Sequence, residues 1–243
     1  MRYLILSDIH ANLAAFEAVL ADARPFERIW CLGDLVGYGP DPNECIARLR
    51  EFPHVGLAGN HDWAALGKLD LNYFNDDARA SCVWTRNALS PENRAYLDTL
   101  PGKRVEEDYT LAHGSPRYPI EEYILDPISA EHNFSAFNTR VCLVGHTHWP
   151  LAFFLADNAD RFSVSRAPQW QQTIRLDAGR WIINPGSVGQ PRDGNPDAAY
   201  AILDIETNRW EHRRVAYPVE ETQQHMRQYN MPIRLIERLA QGH

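Results

Sequence analysis

A chain of 243 residues is long enough to bury a substantial core and falls within the range of one large domain. Hydrophobic residues make up 44% and charged residues 23%, an ordinary balance for a globular enzyme, and no run approaches the roughly 18 consecutive apolar residues that a bilayer span requires. A formal net charge of −8 argues against a broad electrostatic footprint for nucleic acid or anionic membrane, so an anionic substrate must be held locally, by a few arginines or by bound cations.

The amino terminus, MRYLILSDIHANL, has a brief apolar run that meets Asp8 and His10 at once, with no small-residue cleavage site, and predicts a first strand rather than a signal peptide. Arg2 to Leu6, Arg28 to Leu32 and His54 to Ala58 are short apolar segments separated by helix-like stretches at 12–23 and 42–50, which predicts βαβαβ with a parallel sheet. Asn12 is a candidate cap for the first helix. Residues 62–100 have a mainly helical pattern, with Ser90-Pro91-Glu92 as a fresh helix start; following the third strand, this insert could form a lid. Strands return at 109–112, 141–144, 151–155, 173–176, 180–183, 199–205 and 209–215, and their closeness in sequence favours antiparallel pairing in a second sheet. Val219 to Leu239 predicts one or two amphipathic helices broken by Pro232. Cys31, Cys45, Cys82 and Cys142 show no CxxC spacing and are expected to be reduced core thiols, which implies a cytoplasmic location. With no repeat or linker in sight, the expected organisation is one domain over residues 1–243.

Each early strand ends in the same manner, an apolar run and then residues able to bind metal. The first gives Ser7-Asp8-Ile9-His10, the second Gly33-Asp34, the third Gly59-Asn60-His61-Asp62; later strands add Ala112-His113-Gly114 and Gly145-His146-Thr147-His148. Strand carboxyl ends are where open α/β sheets place their ligands, and an i, i+2 histidine pair in extended backbone projects both rings to one side. A lone HxH is more often a pair of surface histidines, and Asp and Asn are ordinary caps and turn residues. Five such endings in one chain are hard to explain by caps.

The order DxH, GD, GNHD, H, GHTH resembles the signature of the calcineurin-like metallophosphoesterase superfamily and extends from residue 8 to residue 148. The surrounding text, GDLVGYGP at 33–40 and NPGSVGQPR at 184–192, is similar to its small prokaryotic phosphodiesterase and diadenosine-tetraphosphatase-like branch. The resemblance implies a four-layer α/β/β/α sandwich of two mixed sheets flanked by helices. It assigns one metal to Asp8, His10 and His148, the second to Asn60, His113 and His146, and a bridging position to Asp34. Imidazole with hard oxygen donors independently suits Mn, Fe or Zn, and the absence of cysteine ligands argues against a structural zinc cluster; the expected cofactor is two divalent ions, Mn or Fe first, with Zn or Ni as alternatives. Two divalent ions about 3.5–4 Å apart could hold a bridging hydroxide and clamp phosphoryl oxygens for in-line displacement. In the same resemblance His61 stabilises or protonates the leaving oxygen. Asp62 either orients that ring or caps the helix that starts there.

Arg192, in QPRDG, is a candidate bidentate donor to a substrate phosphate, against the ordinary fate of a solvated loop arginine. Tyr38 could line the substrate mouth or pack its turn beside Gly37 and Gly39. Trp63, Tyr73, Phe74 and Trp84 could stack a base, although aromatics at near-helical spacing more often form a core. His54, His132, His212, His225 and His243 match no motif. The expected function is a dinuclear phosphohydrolase, a phosphodiesterase acting on a small phosphoester or nucleotide. A dinucleoside polyphosphate hydrolase and a protein phosphatase are the alternatives. A non-catalytic scaffold on the same fold, as in the retromer subunit that resembles this family, would need neither the complete ligand set nor His61. No stable nucleic-acid or membrane partner is expected, and the sequence leaves homo-oligomerisation open.

Overall fold

The computed structural model describes residues 1–157, 164–166 and 173–243. Its first half alternates β1 (Arg2–Leu6), α1 (Leu13–Asp22), β2 (Arg28–Cys31), α2 (Pro42–Arg50) and β3 (His54–Gly56), and the three strands pair in parallel. The helix starts have local causes: Asn12 accepts the N–H of Ala15, and α2 opens on Pro42, whose missing N–H costs nothing in a first turn. The insert contains α3 (Asn60–Leu66), a 3-10 turn at Leu71–Tyr73, α4 (Asp76–Ala88) capped by Asn75, and α5 (Pro91–Asp98) capped by Ser90.

There follow β4 (Lys103–Glu106), β5 (Tyr109–Ala112), α6 (Pro127–Phe134), β6 (Val141–Leu143), β7 (Pro150–Leu155), β8 (Val164–Arg166), β9 (Thr173–Arg175), β10 (Arg180–Pro185), β11 (Ala198–Asp204), β12 (Arg209–Val215), α7 (Val219–Gln228) and α8 (Ile233–Arg238). Two six-stranded sheets result, ordered β3-β2-β1-β11-β12-β9 and β4-β5-β6-β10-β7-β8. Both are mixed. The later strands do not form an antiparallel sheet of their own: β9, β11 and β12 extend the first sheet, and β5, β6 and β10 run parallel within the second. Closeness in sequence predicts the β11–β12 hairpin but cannot tell which sheet edge receives it.

Strand periodicity builds the layers. Tyr3 and Ile5 of β1 and Trp30 of β2 meet Leu111, Val141, Leu143 and Ile183 between the sheets, while Leu4, Leu6, Ile29 and Cys31 face the other way, onto Phe16, Val19 and Leu20 of α1 and Ile46 and Leu49 of α2. The outer face of the second sheet buries Cys142, Phe153 and Ile182 against Ala130 and Phe134 of α6. The order of layers is therefore helices, sheet, sheet, helix, as the resemblance implies. A smaller cluster packs Met226, Met231, Leu235 and Leu239 of the carboxyl-terminal segment on Ala78 of α4 and on Tyr38, joining the insert to the chain end.

Ile5 is fully buried between the sheets. Ile5→Ala should lower unfolding stability by about 2–5 kcal/mol, the range for deleting a large aliphatic side chain from a core, with an unchanged urea m-value. A loss below about 1 kcal/mol by urea denaturation would show that this layer repacks freely.

Candidate metal centre

The strand ends that the sequence nominates meet at one edge of the sandwich. Asp8 and His10 follow β1, Asp34 follows β2, Asn60 opens α3 after β3, His113 follows β5, and His146 and His148 follow β6. All but Asn60, which is half-buried, are fully or almost fully buried. Asp8, His10, Asp34, His146 and His148 have φ between 49° and 66°, the left-handed region, which costs a non-glycine residue roughly 1–3 kcal/mol. The HxH pair is therefore not extended, as its spacing suggests; two left-handed residues turn the chain inward at each histidine.

Backbone bonds over-determine these turns. The N–H of Asp8 donates to Gly33 O, that of His10 to Asp34 O, and that of Gly145 to His113 O, at 2.8–3.0 Å. Asn184 donates from Nδ2 to Gly145 O (2.6 Å) and Thr147 Oγ1 (3.0 Å), and Ser187 Oγ and Gly189 N–H both donate to Asp8 O. The NPGSVGQPR segment is thus the brace of the loops at β1 and β6. Gly59 is needed for a different reason, since a Cβ there would lie 2.1 Å from Asp34 Oδ1.

His10 and His148 aim their Nε2 atoms at each other across 3.0 Å. Their Nδ1 atoms lie on the carbonyl oxygens of Val36 (3.2 Å) and Gln190 (2.6 Å). A carbonyl only accepts, so each neutral ring carries its proton on Nδ1, and both facing nitrogens are bare lone pairs. Asp8 Oδ1 lies 3.3 Å from His148 Nε2, and Asp34 Oδ2 lies 3.6 Å from His10 Nε2 and 3.4 Å from His113 Nε2. Asp8 Oδ1 is buried without a hydrogen-bond donor, and Asp34 Oδ2 has none apart from a proton on His113 Nε2. Their mates are anchored, Asp8 Oδ2 by His146 N–H (3.1 Å) and Asp34 Oδ1 by His61 N–H (2.8 Å). His113 donates from Nδ1 to Leu32 O (2.9 Å) and sets Nε2 3.2 Å from Asn60 Oδ1, while His146 spends Nε2 on Glu121 O (3.3 Å) and keeps Nδ1 free. Ligand atoms of Asp8, His10, Asp34 and His148 fall within 4.8 Å of one another, as do those of Asp34, His113 and His146, with Asp34 in both groups. Lone pairs gathered in this way, their rings oriented by outer carbonyls, fit a divalent cation taken by nitrogen and oxygen donors.

The charges agree. Burial pushes the imidazoles of His10 and His148 well below their usual range, and burial with the charge of His113 lowers His146 to about 3, so all three are neutral, as ligands must be. Burial raises Asp8 to about 7, opposed by His113. Burial also opposes the charge of Asp34, but the surrounding His113, His61 and His10 outweigh it and hold its carboxyl below the usual range. For His113 burial acts downward, yet the Asp34 carboxylate prevails and lifts it to about 9. A proton on His113 does for Asp34 what a cation would do.

His61, buried, lines a cleft of about 210 Å³ together with Tyr38, Asn60, Tyr73, Phe74 and Tyr123. Burial lowers its pKa to about 4, so at neutral pH the ring offers one N–H and one lone pair. Asp62 does not orient it. Its carboxylate accepts instead from the backbone N–H groups of Gly59 (2.9 Å), Val36 (3.0 Å) and Leu35 (3.3 Å), three donors that favour its charge against the burial that raises it to about 7. The helix-start reading of Asp62 accounts for the bond from Gly59, the N-cap of α3, with Asp62 as the third residue of the helix rather than its cap; the bonds from Leu35 and Val36 come from the loop after β2. Arg192 sits over the Tyr38 ring (5.6 Å), bonds Gln190 Oε1 (2.9 Å), reaches Tyr38 Oη (3.4 Å), and leaves Nε buried without a partner. Phe74 stands edge-on to His61, Tyr73 is exposed at the mouth, and Trp84 packs on Tyr229, away from the cleft. Sequence reading passes over Glu121 and Tyr123, whose ring stacks on His146 at 3.9 Å, because their loop carries no periodic or motif signal. It also passes over Asn184, although the segment that contains it stood out.

A sandwich with paired Asp/His lobes at its strand ends defines a metal-dependent hydrolase. The chain belongs to the calcineurin-like phosphoesterase superfamily, whose domain matches residues 1–208, and it is accordingly a phosphoester hydrolase. It is similar to a metallophosphoesterase from Sphaerobacter thermophilus, whose crystal structure superposes with a TM-score of 0.91 at 45% identity over 100% of this chain and 99% of that one. The uncharacterized protein MJ0912 of Methanocaldococcus jannaschii is 36% identical over 251 residues, 98% of this chain and 97% of its own. Phosphodiesterase YfcE of Escherichia coli is 26% identical over 217 residues, 84% and 88% of the two chains. No helix among the described residues is long and apolar enough to cross a membrane.

His113, with its raised pKa, makes the stability of the metal-free protein depend on pH. Its folded-state pKa, about 9, exceeds the ordinary 6.5, so the stability it contributes is present below about pH 6.5 and is lost as pH rises through 9. The melting temperature of metal-free protein should fall across that window, and less so in His113→Asn. Because a ligating imidazole must be neutral, binding of Mn²⁺ at pH 8 should release about one proton. Calorimetric titration in buffers of different ionisation enthalpy measures that number, and a value of zero would mean that His113 is already neutral.

Proposed function

We propose that this protein is a dinuclear metal-dependent phosphodiesterase of a small phosphoester or nucleotide, with Asp8, His10 and His148 holding one ion, Asn60, His113 and His146 the other, and Asp34 shared. The opposed Nε2 lone pairs of His10 and His148, 3.0 Å apart, carry this reading, because a cation against both relieves their repulsion. Bound divalent ions would supply positive charge for phosphoryl oxygens and a lowered pKa for the attacking water. With four imidazoles, one amide and two carboxylates as donors and no thiolate, the set suits Mn, Fe or Zn, and we assign Mn or Fe first with Zn or Ni as the alternatives.

The side chains divide the remaining work. Arg192, held by Gln190 and Tyr38 with its Nε free, is placed to take a phosphoryl oxygen, and Tyr38 forms the wall between it and His61. His61, neutral at pH 7, donates a hydrogen bond to the leaving oxygen as charge develops there. A cleft of about 210 Å³ lined by Tyr73, Phe74 and Tyr123 favours a small ester over a protein side chain. The similarity to a phosphodiesterase supports the diester preference. Four buried free cysteines suit a reducing compartment, and we assign the protein to the cytoplasm.

Metal-reconstituted protein should hydrolyse bis-p-nitrophenyl phosphate faster than p-nitrophenyl phosphate or a phosphopeptide, with cyclic nucleotides and dinucleoside polyphosphates in the same panel. A preference for the monoester or the peptide would replace the diester reading. Asp34→Asn should lower metal content at both positions; full metal content with full activity would show that Asp34 is not shared. His61→Ala should retain metal and lower kcat by roughly 10²–10⁴-fold, less for p-nitrophenolate than for an alkoxide leaving group. Loss of metal in proportion to activity would make His61 structural.

A further inference from the structure

His61 has a partner that lies in no motif. Its Nδ1 is 3.4 Å from Sγ of Cys82, on α4 of the helical insert, and both side chains are buried. The ring is otherwise clamped by packing: Tyr38 lies 4.2 Å away between centroids, and Phe74 stands edge-on at 5.4 Å. On the side of Gly37, which has φ of 90°, a Cβ would come within 2.8–3.0 Å of His61. Asp62 is spent on backbone N–H groups, so Cys82 is the polar group that meets Nδ1 among the described residues. No protein group bonds Nε2 there, and the ring lines the cleft.

We propose that Cys82 is a positioning residue for His61, its thiol donating to Nδ1 and thereby keeping the imidazole proton on Nε2. This rests on the reading of His61 as the donor to the leaving oxygen. In a neutral ring an acceptor at Nδ1 draws the proton there and leaves Nε2 a bare lone pair, unable to donate; a donor at Nδ1 does the reverse. A carboxylate in the place of Cys82 would therefore set the wrong tautomer for a neutral hydrogen-bond donor. A thiol is a weak donor, but here it remains one, since burial and the nearby Asp34 carboxylate push it up to about 12.

Nitrogen–proton correlation spectra of the imidazoles in metal-free protein, with His61 assigned from His61→Ala, read the tautomer directly. Wild type should show His61 protonated on Nε2, Cys82→Ser should keep that form through its hydroxyl, and Cys82→Ala should shift the ring toward Nδ1 protonation or a mixture. On the Mn-loaded enzyme, Cys82→Ala should lower kcat for an alkyl diester by roughly three- to tenfold, a hydrogen bond's worth, with KM and metal content unchanged and with activity recovered in Cys82→Ser. A wild-type ring protonated on Nδ1, or a tautomer unaltered in folded Cys82→Ala, would overturn the proposal; the wild-type spectrum decides even if the alanine variant fails to fold. A wild type that hydrolyses no diester, yet shows the Nε2 proton and its loss in Cys82→Ala, would sink the phosphodiesterase reading and leave the positioning role standing.

Discussion

Two imidazole lone pairs and two carboxylate oxygens confront one another in the interior with no protein donor among them except a proton on His113. Each buried polar atom left in this condition costs roughly 1–3 kcal/mol, and like pairs at contact distance add repulsion. A fold relaxes such an arrangement unless its surroundings forbid it. The surroundings here consist of backbone: every one of the four histidines involved has its second nitrogen on a main-chain carbonyl, and both carboxylates have their second oxygen on a main-chain N–H. Rotation of any of these side chains would exchange one unmet demand for two.

The sandwich supplies that rigidity because the loops belong to both sheets. Asp8 and Asp34 descend from neighbouring parallel strands of the first sheet, and His113 and His146 from neighbouring parallel strands of the second. Bonds from His146, Ser187 and Gly189 to Asp8 stitch the two edges together. The apolar layer between the sheets, from Ile5 to Leu143, therefore sets the spacing of the centre as well as contributing to stability. The left-handed turns are tolerated for the same reason, since residues that strained persist where several bonds hold them at once.

Much of this was legible in the sequence. Short apolar runs mark β1, β2 and β6, and the polar residues clustered after them mark the centre. Elements with weak burial patterns were hidden. The edge strand β4, KRVE, exposes most of its side chains and has no apolar face to betray it, and α6 begins at a Pro-containing cap within a stretch that carries no long periodic run. Sheet membership was equally hidden, because the strand order depends on contacts between residues far apart in the chain: Arg2 pairs with Asp204, across nearly the whole molecule. Cys82 and Tyr123 came to the site through tertiary placement alone, and a lone Cys or Tyr has no local signature of such a role.

The Asp62 case shows how adjacency in sequence misleads. His61 and Asp62 are consecutive in α3, and consecutive helical side chains diverge by about 100° around the axis, so the carboxylate faces away from the ring it was expected to hold. What it meets instead are the N–H groups of Leu35 and Val36, just beyond Asp34, and that of Gly59, just before Asn60. One carboxylate thus ties the loop bearing Asp34 to the loop bearing Asn60. The task left open, setting the proton on His61, then falls to whatever lies across its other nitrogen, and there α4 of the insert brings a thiol. On the proposed reading, the strand ends would hold the cation and the insert would govern His61 in the cleft, so the two could respond separately to changes in the chain.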